Sequence, residues 1–154
     1  MKLLVSACLL GQNVKYDGWN NQIHSELFDK ILSKCEVIAF CPEVEGGLST
    51  PRAKAEIKSF DPIKVKTIDN EDVTDAFEKG AQKLLTLCLQ ENITVALMKS
   101  KSPSCGNNLI YNGAFDGTLI EQSGVAVRLL LENGIKVYNE KELTKLDEAL
   151  NKVS

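Results

Sequence analysis

Apolar and polar positions along this chain switch repeatedly between the spacing of strands and that of helices. Leu3, Leu4 and Val5 form a short unbroken apolar run, so residues 2–7 read as a buried strand. Gly11, Asn13, Asp17 and Gly18 mark a loop after it. Ile23, Leu27, Phe28, Ile31, Leu32 and Cys35 then recur at helical spacing, which predicts an amphipathic helix over about 22–34. Residues 36–40 read as a second strand, and Pro42, Gly46, Gly47 and Pro51 break the chain beyond it. From 55 to 69 the apolar residues Ile57, Phe60, Ile63, Val65 and Ile68 are separated by polar ones, as in a small extended excursion or hairpin.

The strongest helical stripe runs over 71–90, where Val73, Ala76, Phe77, Ala81, Leu84 and Cys88 share a face. Asp69 or Asn70 is placed to cap this helix, and Glu71, Asp72 and Asp75 suit the positive end of its dipole. Residues 93–98 predict a third strand, followed by a polar loop at 99–108 and a short strand or turn at Leu109–Tyr111. Asn112-Gly113 and Asp116-Gly117 are turn dipeptides. A helix is expected over 121–132 with Gly134 as its C-cap, then a strand at Ile135–Tyr138. Asn139 and Glu142 form a capping-box pattern for a last helix near 140–151. Alternating strands and helices predict α/β architecture: a single three-layer, Rossmann-like domain over residues 1–154 with a mostly parallel sheet.

Composition narrows the function classes. Apolar content of 44% and charged content of 25% are those of a globular chain with a real core. A net charge of −3 leaves no basic surface for a nucleic-acid backbone. No apolar run reaches the ~20 residues of a membrane span, and the first strand is too short for the apolar region of a signal peptide, so a cytoplasmic location is expected. In a reducing compartment five cysteines are expected to stay unpaired and to serve metal or catalytic chemistry.

Three of those cysteines fall where strands run out. Cys8 follows the first strand, Cys41 the second, and Cys105 the third after the loop Lys99-Ser100-Lys101-Ser102-Pro103-Ser104. Parallel strands deliver such positions to one crevice at their carboxyl ends. Three thiolates without an obvious fourth fit an iron–sulfur cluster or a metal with one open position, where a substrate can bind. Each has a plainer reading: a small buried hydrophobe at Cys8, a tight turn at Cys41, a serine-rich turn at Cys105. Gly46 and Gly47 would allow the backbone near Cys41 to approach a ligand. Cys35 and Cys88 fall on apolar helix faces and are assigned to packing. His24, the only histidine, sits near a helix start, which disfavours both a cysteine hydrolase and a Cys₃His zinc site. No phosphate-binding glycine fingerprint is present.

Several segments, taken in order, resemble the thiouracil desulfidase family: Ser6-Ala7-Cys8-Leu9-Leu10-Gly11 with Tyr16-Asp17-Gly18, Cys41-Pro42-Glu43 with Gly46-Gly47-Leu48 and Pro51-Arg52, Asp72-Val73-Thr74 with Phe77 and Gly80-Ala81, Ser102-Pro103-Ser104-Cys105-Gly106, and Tyr111-Asn112-Gly113. The resemblance covers about residues 2–140. It implies a [4Fe-4S] cluster held by Cys8, Cys41 and Cys105, with the fourth iron open to the sulfur of a thiolated pyrimidine. Iron then acts as a Lewis acid without redox change, and C=S becomes C=O with release of sulfide. The resemblance assigns the assisting carboxylate to Glu43 and the assisting serine to Ser102, with Ser100 as the second choice and Glu45 as a spectator.

Two other classes stay open at this stage. One is a module that holds a cluster or zinc for structure or sensing; the other is a redox enzyme using the same cluster. The expected partner is a small thiopyrimidine: base, nucleoside or nucleotide. Arg52 and Lys99 are candidates for an acidic group on it, and equally for ordinary ion pairs.

Overall fold

The computed structural model describes residues 1–153; Ser154, the last residue of the expected domain, lies outside them. Its centre is a four-stranded parallel sheet in the order β2-β1-β5-β8. The strands are β1 (Lys2–Ser6), β2 (Glu36–Phe40), β5 (Val95–Met98) and β8 (Lys136–Asn139). Their side chains alternate between faces. On one face Leu3, Val5 and Leu97 pack with Phe28 and Ile31 of α1 (Glu26–Ser33) and with Leu146 and Leu150 of α5 (Leu143–Val153). On the other, Leu4, Ala96 and Met98 meet Phe77 and Leu84 of α3 (Thr74–Gln90) and Val127 and Leu130 of α4 (Val125–Glu132). These are the three layers that the alternation of elements predicts, and among the described residues no helix is long and apolar enough to cross a membrane.

Two hairpins are added to the second face. β3 (Ala55–Phe60) pairs antiparallel with β4 (Ile63–Thr67), which makes the expected excursion a hairpin, and Ile57 and Val65 join the core beside Phe77. β6 (Leu109–Tyr111) pairs with β7 (Leu119–Glu121). The sequence pattern does not predict β7: Leu119 and Ile120 lie between a turn dipeptide and the expected helix, and only Glu121 falls inside the stretch expected to be helical from 121. That helix begins only at Val125, after Gly124.

Helix starts also lie later than expected elsewhere. α1 begins at Glu26 rather than 22, because the Ser25 hydroxyl accepts the Phe28 N–H at 2.9 Å and fixes the cap there. α3 begins at Thr74 rather than 71. The Thr74 hydroxyl accepts the Val65 N–H at 2.9 Å, and Asp72 accepts the Thr74 N–H at 2.9 Å, so β4 holds the preceding residues extended and neither Asp69 nor Asn70 caps the helix. α5 begins at Leu143 rather than 140: Glu142 accepts the Asn139 N–H at 3.0 Å and Asn139 accepts the Lys141 N–H at 2.8 Å, but these bonds close the turn that precedes the helix instead of capping its first turn.

β1 lies between β2 and β5, so successive crossovers leave it in opposite directions. This is the switch point of an open α/β sheet, where a crevice forms beyond the carboxyl ends of the strands.

Candidate active site

A pocket of about 500 Å³ occupies that crevice. Cys8, Cys41, Glu43, Ser102 and Cys105 all line it, and so does Ser100. His24 is exposed and does not line it. Of the two cysteines assigned to packing, Cys88 is buried in the core on α3 and Cys35 is packed at the edge of the α1 layer.

Each thiol is placed by a separate local device. β1 ends at Ser6, and a single 3-10 turn over Ala7–Leu10, closed by Gly11 in the left-handed region, carries Cys8 over the pocket. Asn21 donates to its sulfur at 3.5 Å. Cys41 stands at the N-cap of α2 (Pro42–Glu45), a one-turn helix with proline at its first position. In the sequence Pro42 reads as a strand breaker and Gly46 as freedom to approach a ligand. The structure uses Gly46 differently. A Cβ there would lie 2.0 Å from the Ala76 carbonyl oxygen, and a Cβ at Gly80 would lie 1.8 Å from that of Pro42. The two glycines let α2 press backbone to backbone on α3, which fixes Cys41 and Glu43 from behind.

Cys105 is held by the start of α4. The Pro103 carbonyl accepts the Val125 N–H at 2.8 Å, and the Ser104 carbonyl accepts those of Ala126 and Val127 at 3.1 and 3.2 Å. Donors that a helix N-terminus would otherwise leave unpaired are thereby spent on the cysteine loop. Inside that loop the Ser102 hydroxyl accepts the N–H groups of Ser104 and Cys105 at 3.2 and 3.0 Å.

The three sulfurs lie within electrostatic reach of one another. Burial pushes all three thiols above their ordinary range, Cys105 to about 12, and the Cys41 charge raises Cys8 and Cys105 further. Neutral, desolvated thiols without a histidine make poor nucleophiles. They suit ligands, since a bound metal centre removes the proton outright. Among the described residues no three His, Cys, Asp or Glu side chains stand close enough to chelate one ion. A single tetrahedral zinc needs its sulfurs roughly 3.8 Å apart, given bonds of about 2.3 Å. Three thiols that line one pocket, with no fourth Cys or His among its lining residues, fit a cluster with an open position better than a closed structural zinc site.

Glu43 is clamped on both oxygens. Arg52 Nε donates to one at 3.2 Å, and the Ser104 hydroxyl donates to the other at 2.9 Å. The side chains of Arg52 and Glu43 are only 8% and 14% exposed. The remaining guanidinium contacts go to Ser49, Thr50 and Val14, so Arg52 is consumed inside the protein rather than offered to a substrate. Lys99 is likewise paired with Glu140 at 2.7 Å. Ser100 gives both its N–H and its hydroxyl to Glu140, at 2.8 and 2.9 Å.

Ser104 is a residue of the site that no sequence pattern assigns to it. It is 1% exposed and touches Glu43, and its oxygen lies 3.1 Å from that of Ser102 and 3.4 Å from the Cys105 sulfur. Because the proton of Ser104 goes to Glu43, the contact between the two hydroxyls is donated by Ser102. The only cue in the sequence is adjacency to Cys105; which of three nearby serines faces Glu43 is decided by the turn around Pro103.

Residues 3–142 match the 2-thiouracil desulfurase family. The chain is 38% identical over 151 residues to the "uncharacterized protein YbbK" of Bacillus subtilis (strain 168), covering 94% of this chain and 99% of that one. Among solved structures, that of the [4Fe-4S]-dependent thiouracil desulfidase TudS is similar, with a TM-score of 0.91, 45% identity and 97% of each chain covered.

Proposed function

We propose that this chain, which belongs to the 2-thiouracil desulfurase family, is a [4Fe-4S]-dependent desulfidase that converts the C=S group of a thiolated pyrimidine to C=O with release of sulfide. The observation that carries this reading is the convergence of three desolvated thiols and one clamped carboxylate on a single pocket. Cys8, Cys41 and Cys105 would hold the cluster. When bound, it supplies a Lewis acid that polarises the thione, whose carbon is otherwise a poor electrophile.

The chain's own groups then have defined tasks. Glu43 takes a proton from the attacking water. Arg52 keeps that carboxylate in place from the side away from Ser104. Ser102 and Ser104 form a hydroxyl chain ending on Glu43, along which a proton can pass between the base and the departing sulfur. The oxygen of water becomes the new carbonyl oxygen, and its protons leave with sulfur as hydrogen sulfide. No external electron donor enters this balance. Five cysteines, none of them in a disulfide, agree with work in the reducing cytoplasm.

The test is anaerobic reconstitution with iron and sulfide, followed by incubation with 2-thiouracil. Sulfide should appear together with loss of the thione absorbance, without added reductant. An absolute need for a reductant would move the reading to a redox enzyme. A stable cluster with no turnover of any thiopyrimidine would move it to a sensing or structural module.

A further inference from the structure

The second hairpin carries a strained aromatic residue that the chemistry above does not use. Phe115, in the loop between β6 and β7, has φ of +56°. A bulky side chain in the left-handed region is a true outlier and is kept only where the surroundings enforce it. The surroundings here are elaborate. Glu56 on β3 is 8% exposed, and one of its carboxylate oxygens accepts the N–H groups of both Gly113 and Phe115, at 2.9 and 3.2 Å. The Lys58 ammonium donates to the Gly113 carbonyl and lies 5.0 Å from the centre of the Phe115 ring. Gly113 sits so close to β3 that a Cβ would meet the Ile57 carbonyl oxygen at 2.7 Å. Asn112 and Asp116 tie the loop further through the N–H groups of Ala114 and Thr118, both at 2.9 Å.

All of this fixes a half-buried ring that lines the pocket of the three thiols, as Tyr111 also does. Packing alone does not require it, because glycine or asparagine at 115 would close the same turn without strain.

We propose that Phe115 is the ring-stacking and specificity-determining residue of the site, and that Glu56 is the positioning residue that holds it there. The inference rests on the desulfidase reading and names what selects the substrate: a flat, unsaturated heterocycle stacked on Phe115, whose other face is occupied by Lys58. A thione of the same size with its C5–C6 bond saturated is puckered and keeps a smaller π-face, so it loses much of this contact.

The experiment uses the reconstituted enzyme with 2-thiouracil and with 5,6-dihydro-2-thiouracil, in wild type, Phe115→Gly, Phe115→Leu, Glu56→Gln and Glu56→Ala. Stacking of one base on an aromatic ring corresponds to about a 5- to 150-fold effect on removal of the ring. Phe115→Gly should therefore raise KM for 2-thiouracil by roughly that factor with kcat little changed, and should erase the preference over the dihydro compound. Its thermal midpoint should hold or rise, because glycine relieves the strain. Phe115→Leu, which keeps apolar bulk, should lose the preference as well. Glu56→Ala should follow Phe115→Gly in KM, while Glu56→Gln, which keeps an acceptor, should lose less. Should Glu56→Ala fail to fold, the Phe115 pair still decides. Unchanged KM and unchanged preference in Phe115→Gly would overturn the proposal, as would a loss confined to stability, cluster content and kcat. Wild-type enzyme silent on every thiopyrimidine would remove the desulfidase reading and this inference with it; active wild type with an unaffected Phe115→Gly would remove this inference alone.

Discussion

Gly80→Ala tests the claim that the site is held from behind by two helices in backbone contact. Gly80 lies in the interior of α3, where alanine by propensity alone should stabilise by about 1 kcal/mol. The structure predicts the opposite sign. The new methyl carbon would sit 1.8 Å from the Pro42 carbonyl oxygen and 2.7 Å from its carbon, and these are backbone atoms that cannot rotate away. The first distance is at least 1.5 Å or so inside normal contact, so α2 must move off α3 by roughly that amount. Overpacking of this kind costs about 1–3 kcal/mol. With the helix gain of about 1 kcal/mol set against it, a net loss of about 1 kcal/mol corresponds to a fall of roughly 2–4 °C in thermal midpoint for a chain of this size. The site should suffer more than the fold. Cys41 and Glu43 flank Pro42 and travel with it, and a displacement near 1 Å can reduce turnover by about 10²-fold. Melting followed by circular dichroism, iron content after reconstitution and sulfide release from 2-thiouracil measure the three effects. A variant that melts higher and binds iron normally would refute the reasoning, since it would mean that α2 and α3 do not press on each other.

The remaining predictions address the ligands, the serines and the charges. Cys8→Ser, Cys41→Ser and Cys105→Ser should each abolish cluster absorbance on reconstitution, whereas Cys35→Ala and Cys88→Ala should retain it, the latter costing about 1 kcal/mol in denaturant titration because Cys88 is buried in the core. Glu43→Gln should keep the fold and lower turnover by about 10²–10⁴-fold. Ser104→Ala should lower turnover more than Ser100→Ala, because only Ser104 touches Glu43; equal losses would break the proposed hydroxyl chain. Burial acts to raise the Glu140 carboxyl, but the Lys99 ammonium and the Ser100 N–H outweigh it and hold the group below its ordinary 4.5. Its contribution to stability should therefore be complete above pH 4.5 and fade as pH falls further, and Glu140→Gln should flatten that acid limb in denaturant midpoints. Burial raises the Cys88 thiol from 9.0 to about 11, so the cluster-free protein should lose stability as pH climbs from 9 to 11, and Cys88→Ala should lessen that loss.

Local pattern determined much of this protein. The apolar run of β1 and the helical stripe of α3 are properties of neighbouring residues, and so they could be read in one dimension. The same holds for the placement of Cys8, Cys41 and Cys105 after strands, because strand ends are local events and parallel order carries them to one edge. What the sequence could not determine were contacts between distant segments. β7 has three residues and exists only because β6 lies beside it. Gly46 and Gly80 look like ordinary turn and helix positions until α2 is laid on α3. Arg52 could be read equally as a ligand for an acidic group or as an ion-pair partner, and the fold spent it on Glu43, nine residues away. Ser104 became the partner of Glu43 through a turn that α4 grips by its free amides, 61 residues along the chain from that carboxylate. Phe115 gives no sign of strain as a letter in a turn; the Glu56 carboxylate and the Lys58 ammonium, both from the other hairpin, hold its loop against the pocket. Hydrophobic periodicity specifies which face of an element is buried, but hydrogen bonds between loops depend on where other elements come to rest, and that is settled only when the core closes.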